Sequence, residues 1–199
     1  MARASNRDKI LRDGLRVVHE RGYGGASVRD IVQAAGVPQG SFTNHFGSKE
    51  AFGLEILNLY FANSRDVIAR TLRDDALPPL DRLRAYIQAN KDHLQQGDMR
   101  NGCLLGNFSA EVVDHSESIR GRLVEIFAEV AASVTYCLKA AVDAGELSAE
   151  TDADALGSLI VSSLQGSILV AKTQRDPAAI DVFETLLFST ILQRPRPTG

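Results

Sequence analysis

Residues 27–52 read SVRDIVQAAGVPQGSFTNHFGSKEAF, and this stretch decides the fold. Ser27 with Asp30 three positions on is a capping-box-like helix start. Val28, Ile31, Val32 and Ala35 then recur at helical spacing and give a short helix one apolar stripe. Gly36 stops that helix where a left-handed residue is easiest. Val37 plugs the angle to a second helix, and Pro38 suits that helix's first turn. Gly40 and Ser41 are small, as a helix approaching another backbone requires, while Phe42 and Phe46, four apart, anchor the second helix. Its other face carries Gln39, Ser41, Thr43, Asn44 and His45, polar groups of the kind that base edges and phosphates require. A helix, a glycine turn and a polar-faced second helix together make a helix-turn-helix. The alternative is an ordinary pair of surface helices, which rarely combines the turn, the plug and the polar face.

Within this window AAGVPQGSF, HF and SKEAF, preceded by a helix ending in RGY at 21–23, resemble the DNA-binding domain of the TetR family of bacterial transcriptional regulators. The resemblance implies an all-α chain of about nine helices. A three-helix helix-turn-helix domain would span 1–50, and a helical effector-sensing and dimerisation domain 51–199. Residues 6–22 fit the first helix, with Leu11, Leu15 and Val18 as its buried stripe. DNA contacts are expected from Ser27, Arg29, Pro38, Gln39, Gly40, Ser41, Thr43, Asn44, His45 and Lys49. Thr43 is a departure: the family usually has a tyrosine there that commonly touches a phosphate, and a threonine hydroxyl reaches less far. Lys49 matches the family lysine at the start of the fourth helix, where helix dipole and ammonium both favour a phosphate.

Charge agrees. Through residue 50 there are eight Lys/Arg against five Asp/Glu, net +3, and the remainder holds fourteen against twenty, net −6. A mildly basic head on an acidic body turns the head toward a polyanion. Arg3 and Arg7 are candidates for a loose arm on the phosphates, the alternative being simple solvation. No secretory signal is visible in residues 1–16, and two cysteines distant in sequence make no disulfide framework, so a cytoplasmic protein with reduced thiols is expected.

Past residue 50 the pattern is helical throughout. Helices are expected over 48–72, 80–96, 104–113, 116–144, 152–175 and 177–193, and the tail RPRPTG is expected to fray. The run 155–171 falls short of spanning length and contains four serines and Gln165, so a buried soluble helix is expected. Leu123, Phe127, Val130, Val134 and Leu138 share one face of the long 116–144 helix. The last helix has Ile180, Phe183 and Leu187 in one stripe and Val182, Leu186 and Phe188 beyond it, more apolar surface than one buried face needs. That excess suggests a subunit interface, and the resemblance implies a homodimer built by the last two helices. Two recognition helices about 34–36 Å apart then meet successive major grooves of a roughly palindromic operator.

The segment NGCLLGNFSAEV at 101–112 resembles a pattern in one TetR subgroup, in which Gly-Cys-Leu, Gly-Asn and a following glutamate recur. That subgroup includes regulators answering reactive electrophiles, chlorine oxidants or small unsaturated acids. Cys103 precedes a predicted helix whose N-terminus favours a thiolate, and Lys172 is the candidate neighbouring cation. Three roles fit Cys103: a sensing thiol, a pocket-lining residue, or core packing. Asn107, Phe108, Glu111, Tyr136 and Gln165 are candidate lining for a reversible small-molecule site, each of which equally suits a structural role. Cys137, Tyr60 and Phe61 read as core. No cofactor or metal site is expected: the four histidines are scattered, Glu111 with His115 being the one metal-like pair, and no phosphate loop or nucleophile motif appears. An effector-responsive repressor, not an enzyme, is the expected function; the alternative is an architectural or nucleoid-associated DNA-binding protein without an effector.

Overall fold

The computed structural model describes residues 5–193, and every regular element among them is helical. In chain order these are α1 (Asn6–Arg21), α2 (Val28–Ala34), α3 (Gly40–His45), α4 (Lys49–Arg70) and α5 (Pro79–Gln95). They are followed by α6 (Leu104–Glu111), α7 (Glu117–Asp143), α8 (Ala153–Gln174) and α9 (Ala178–Leu186), which ends in a π-helical turn, Leu187–Ile191. The nine α-helices match the expected count. Arg3 and the RPRPTG tail lie outside the described residues.

The described residues form two compact units, each drawn from two stretches of the chain. The first combines the described residues through Asn63 with Leu104–Glu125; the second combines Ser64–Cys103 with the described residues from Ile126 onward. The first half of α4, all of α6 and the start of α7 thus belong with the head. Specific polar bonds explain why. Ser116 and Ser118 donate to the Glu50 carboxylate, which these bonds hold below the usual glutamate range. Arg122 Nε donates to Asn58 Oδ1 at 2.7 Å.

In the first unit the buried stripe of α1 is Ile10, Gly14, Val17 and Val18. This corrects the expected Leu11–Leu15–Val18 stripe: Leu11 and Leu15 are half-buried flanks. The cause is Gly14, where a Cβ would stand 2.7 Å from Phe52 Cζ and 2.8 Å from Ile31 Cγ2, so α1 turns its bare backbone toward its neighbours. Arg7 is likewise no loose arm. It sits in α1, its guanidinium paired with Glu55 and 5.7 Å from the Phe46 ring centre.

In the second unit α7 buries Val130, Val134 and Leu138, and α8 buries Gly157, Ile160, Leu164, Ile168 and Ala171. By length and composition α8 is apolar enough to cross a membrane, with mean hydropathy 1.4, yet only 28% of that window is buried. The expected buried helix is therefore buried on one face only. Leu159, Leu169 and Val170 stay exposed, as do Val182, Leu186 and Ile191 on α9 and the turn after it.

Candidate DNA interface and effector site

The capping of α2 is as the sequence indicated. Ser27 Oγ accepts from Asp30 N at 3.1 Å while the Asp30 carboxylate accepts from Ser27 N at 3.0 Å. The Ser27 hydroxyl also donates to that carboxylate, and these bonds, with Arg21 at 2.9 Å, hold Asp30 below the usual range. Ser27 is thus committed to the cap. Gly36 at φ +62 closes the turn.

Helix α3 is opened by two short-range bonds, Ser41 N to Pro38 O (2.9 Å) and Phe42 N to Gln39 O (3.2 Å). Phe42 and Phe46 are buried and pack on Phe52, with ring centres 5.4 and 5.3 Å away. That aromatic cluster fixes the rotation of α3 about its axis. Arg29, Pro38, Gln39, Gly40, Thr43, Asn44 and His45 are exposed in consequence, and Ser41 is half-buried. A Cβ on Gly40 would meet nothing within 4 Å. Thr43 Oγ1 donates to the Gly40 carbonyl at 3.1 Å, so its proton is spent inside α3 and its reach is short.

Lys49, expected as a phosphate ligand, is half-buried and engaged with the turn after α1. Its ammonium donates to Tyr23 O at 2.6 Å and lies 4.5 Å from the centre of the Tyr23 ring. Burial lowers its pKa, and Glu111 opposes that. The Tyr23 carbonyl lies past the end of α1, outside its helical bonding, and Lys49 satisfies it. Phe108 and Glu111, expected as pocket lining, meet the same turn. Phe108 is buried, its ring centre 5.1 Å from that of Tyr23. Glu111 Oε2 accepts from Gly24 N at 3.0 Å. Both serve the packing of the first unit.

Around Cys103 the second unit assembles a polar corner. Cys103 is half-buried and directly precedes α6. Lys172 is close by, as expected: a Cβ on Gly102, which has φ +65, would lie 2.8 Å from Lys172 Cδ. Sequence reasoning missed Tyr86, which reads as one more apolar position on α5. Its phenol is pushed up to about 12, mainly by burial, with a smaller contribution from Cys103. Asn90, one turn on, donates to Tyr86 O at 2.8 Å. Gln165 and Asn107 are half-buried. Tyr136 does not line an interior site: it is 38% exposed, its hydroxyl donates to Asp75 at 3.0 Å and Arg73 covers its ring. Cys137 is core, its Sγ 3.0 Å from Pro79 O and its pKa pushed up to about 11 by burial. Among the described residues no group of three or more potential metal ligands occurs.

Comparison with known proteins matches this architecture. Residues 10–56 fit the model of bacterial regulatory proteins of the tetR family, and residues 79–187 the tetracyclin repressor-like C-terminal domain. The HTH-type transcriptional repressor DhaR of Mycobacterium sp. (strain GP1) is 38% identical over 96% of this chain and 95% of its own length. The transcriptional regulator AcuR of Cereibacter sphaeroides is 31% identical over 87% and 80%. Among solved structures, a regulatory protein TetR from Rhodobacter sphaeroides superposes with TM-score 0.87 at 30% identity, covering 93% of this chain and 97% of that one. The reduced form of Escherichia coli NemR superposes with TM-score 0.84 at 26% identity, covering 98% and 99%. The exposed polar recognition helix and the two matched domains together place this chain in the TetR family of bacterial transcriptional regulators.

Proposed function

We propose that this protein is a cytoplasmic repressor that binds a palindromic operator as a homodimer and is released by a small molecule or by modification of Cys103. The observation that carries the reading is α3, anchored by Phe42 and Phe46 and exposing Gln39, Thr43, Asn44 and His45. Dimerisation through α8 and α9 accounts for the exposed Leu159, Leu169, Val170, Val182 and Leu186. Burying such side chains is worth about 1.5–3 kcal/mol each.

Cys103 is the better placed of the two thiols. Cys137 is sealed in the core, while Cys103 is half-buried at the start of α6, and the Lys172 side chain packs on Gly102, its chain neighbour. An unsaturated acid would react there by addition. The Cys103 thiolate forms a bond to the β-carbon, the α-carbon takes a proton from water, and nothing leaves. Displacing the start of α6 then shifts the helices of the head, with residues 48–72 as the lever, and the recognition helices lose the operator spacing. Moving occupancy from 99:1 to 1:99 needs a preference of about 5.5 kcal/mol, which an adduct supplies and a reversible ligand supplies only with a well-fitted pocket.

The test is a gel-shift series on a site selected from random DNA, with the wild type and Cys103→Ser treated with hypochlorite or acrylate. Release of the wild type alone is expected. Equal release of both proteins would refute the thiol mechanism and leave a reversible pocket.

A further inference from the structure

The Gly22–Gly25 turn between α1 and α2 is held from two directions within the first unit. On one side Glu111, the last residue of α6, accepts from Gly24 N at 3.0 Å. Its carboxylate also fills the space beside Gly22: a Cβ there would meet Oε1 at 2.8 Å and Oε2 at 2.9 Å, and the φ of +80 excludes most side chains anyway. On the other side Lys49, the first residue of α4, donates to Tyr23 O at 2.6 Å. The two charges interact with each other. Between them Tyr23 packs its ring at a tilt against Phe108 of α6 and touches Gly53 of α4, where a Cβ would lie 3.0 Å from its ring.

We infer that Glu111 and Lys49 form a clasp on the α1–α2 turn and are positioning residues for DNA binding, Lys49 acting there and not as a phosphate ligand. The inference rests on the proposed operator binding for its functional consequence, but the clasp itself is measurable without DNA. Since α6 begins immediately after Cys103, its far end grips the turn that leads into the helix-turn-helix. Any shift of α6 along its axis must pull on the Gly24 amide.

The test uses the full-length protein with Glu111→Ala, Glu111→Gln and Lys49→Met. By amide hydrogen exchange without DNA, Glu111→Ala should speed exchange at Gly24 while the amides of α7 are unchanged. Glu111→Gln, which keeps an acceptor oxygen, should restore part of the protection. On DNA, Glu111→Ala should weaken binding about fivefold. Lys49→Met should weaken binding without changing its salt dependence, because no phosphate contact is lost. A fall of about one in the salt slope for Lys49→Met would make it a phosphate ligand and overturn its assigned role. Unchanged Gly24 exchange in Glu111→Ala would overturn the clasp, whatever the DNA result. Failure of the wild type to select any site would count against the proposed function instead.

Discussion

Helix α3 and the α8–α9 pair are built on the same plan and end with opposite surfaces. Each is fixed by a buried stripe: Phe42 with Phe46 for α3, and Ile160, Leu164, Ile168 and Ile180 for α8 and α9. Beyond that stripe α3 shows Gln39, Thr43, Asn44 and His45, whereas the later helices show Leu159, Leu169, Val170, Val182 and Leu186. Core packing explains neither set, since both point away from it. A polar face of short hydrogen-bonding groups suits a hydrated, charged partner, and an apolar face suits one that also excludes water. In the proposed function the polar set faces DNA and the apolar set faces a second copy of the chain.

The largest effect expected from this contrast is on the apolar face. Leu169 is 63% exposed and Val182 57%, so Leu169→Glu with Val182→Glu should leave the fold intact. At a subunit interface the carboxylates become buried and unpaired, and the dimer should be weakened by about 3 kcal/mol or more, over a hundredfold. Light scattering would show monomer and gel shifts would show lost operator binding. A dimer surviving in the double variant would break the comparison.

A smaller effect is expected on the polar face. Asn44→Ala at an exposed position should cost about 1–3 kcal/mol on the selected site and little on scrambled DNA. Anisotropy titrations on both duplexes measure this, and an equal loss on both would remove Asn44 from base reading.

Smallest is the effect of the interior behind these faces. Burial raises Cys137 to about 11 from 9.0, so the unfolded chain gives up that proton first. The stabilising preference for the neutral thiol is complete below about pH 9 and is lost as pH rises toward 11. Denaturant titrations over that range should show a decline that Cys137→Ala makes shallower.

Most of the fold was legible because it rests on local signals. The Ser27–Asp30 cap, the Gly36 turn and the Phe42–Phe46 spacing each specify a conformation within a few residues, and all three occur in the structure. What the sequence concealed depends on partners distant along the chain. Gly14 turns α1 by admitting Phe52, which no periodicity count reveals. Lys49 and Glu111 carry charges that suit a phosphate or an effector, but in the structure they bond to the Tyr23 carbonyl and the Gly24 amide of the α1–α2 turn. Tyr86 reads as core because it is core, and burial is what raises its phenol.

The central claim is that two copies of this chain read two half-sites. Hydroxyl-radical footprinting on the selected DNA tests it most directly. Two protected patches on one face of the duplex, about 34–36 Å apart, are predicted. Unbroken protection of any duplex, strongly salt-dependent and indifferent to sequence, would contradict the account and point to an architectural DNA-binding protein.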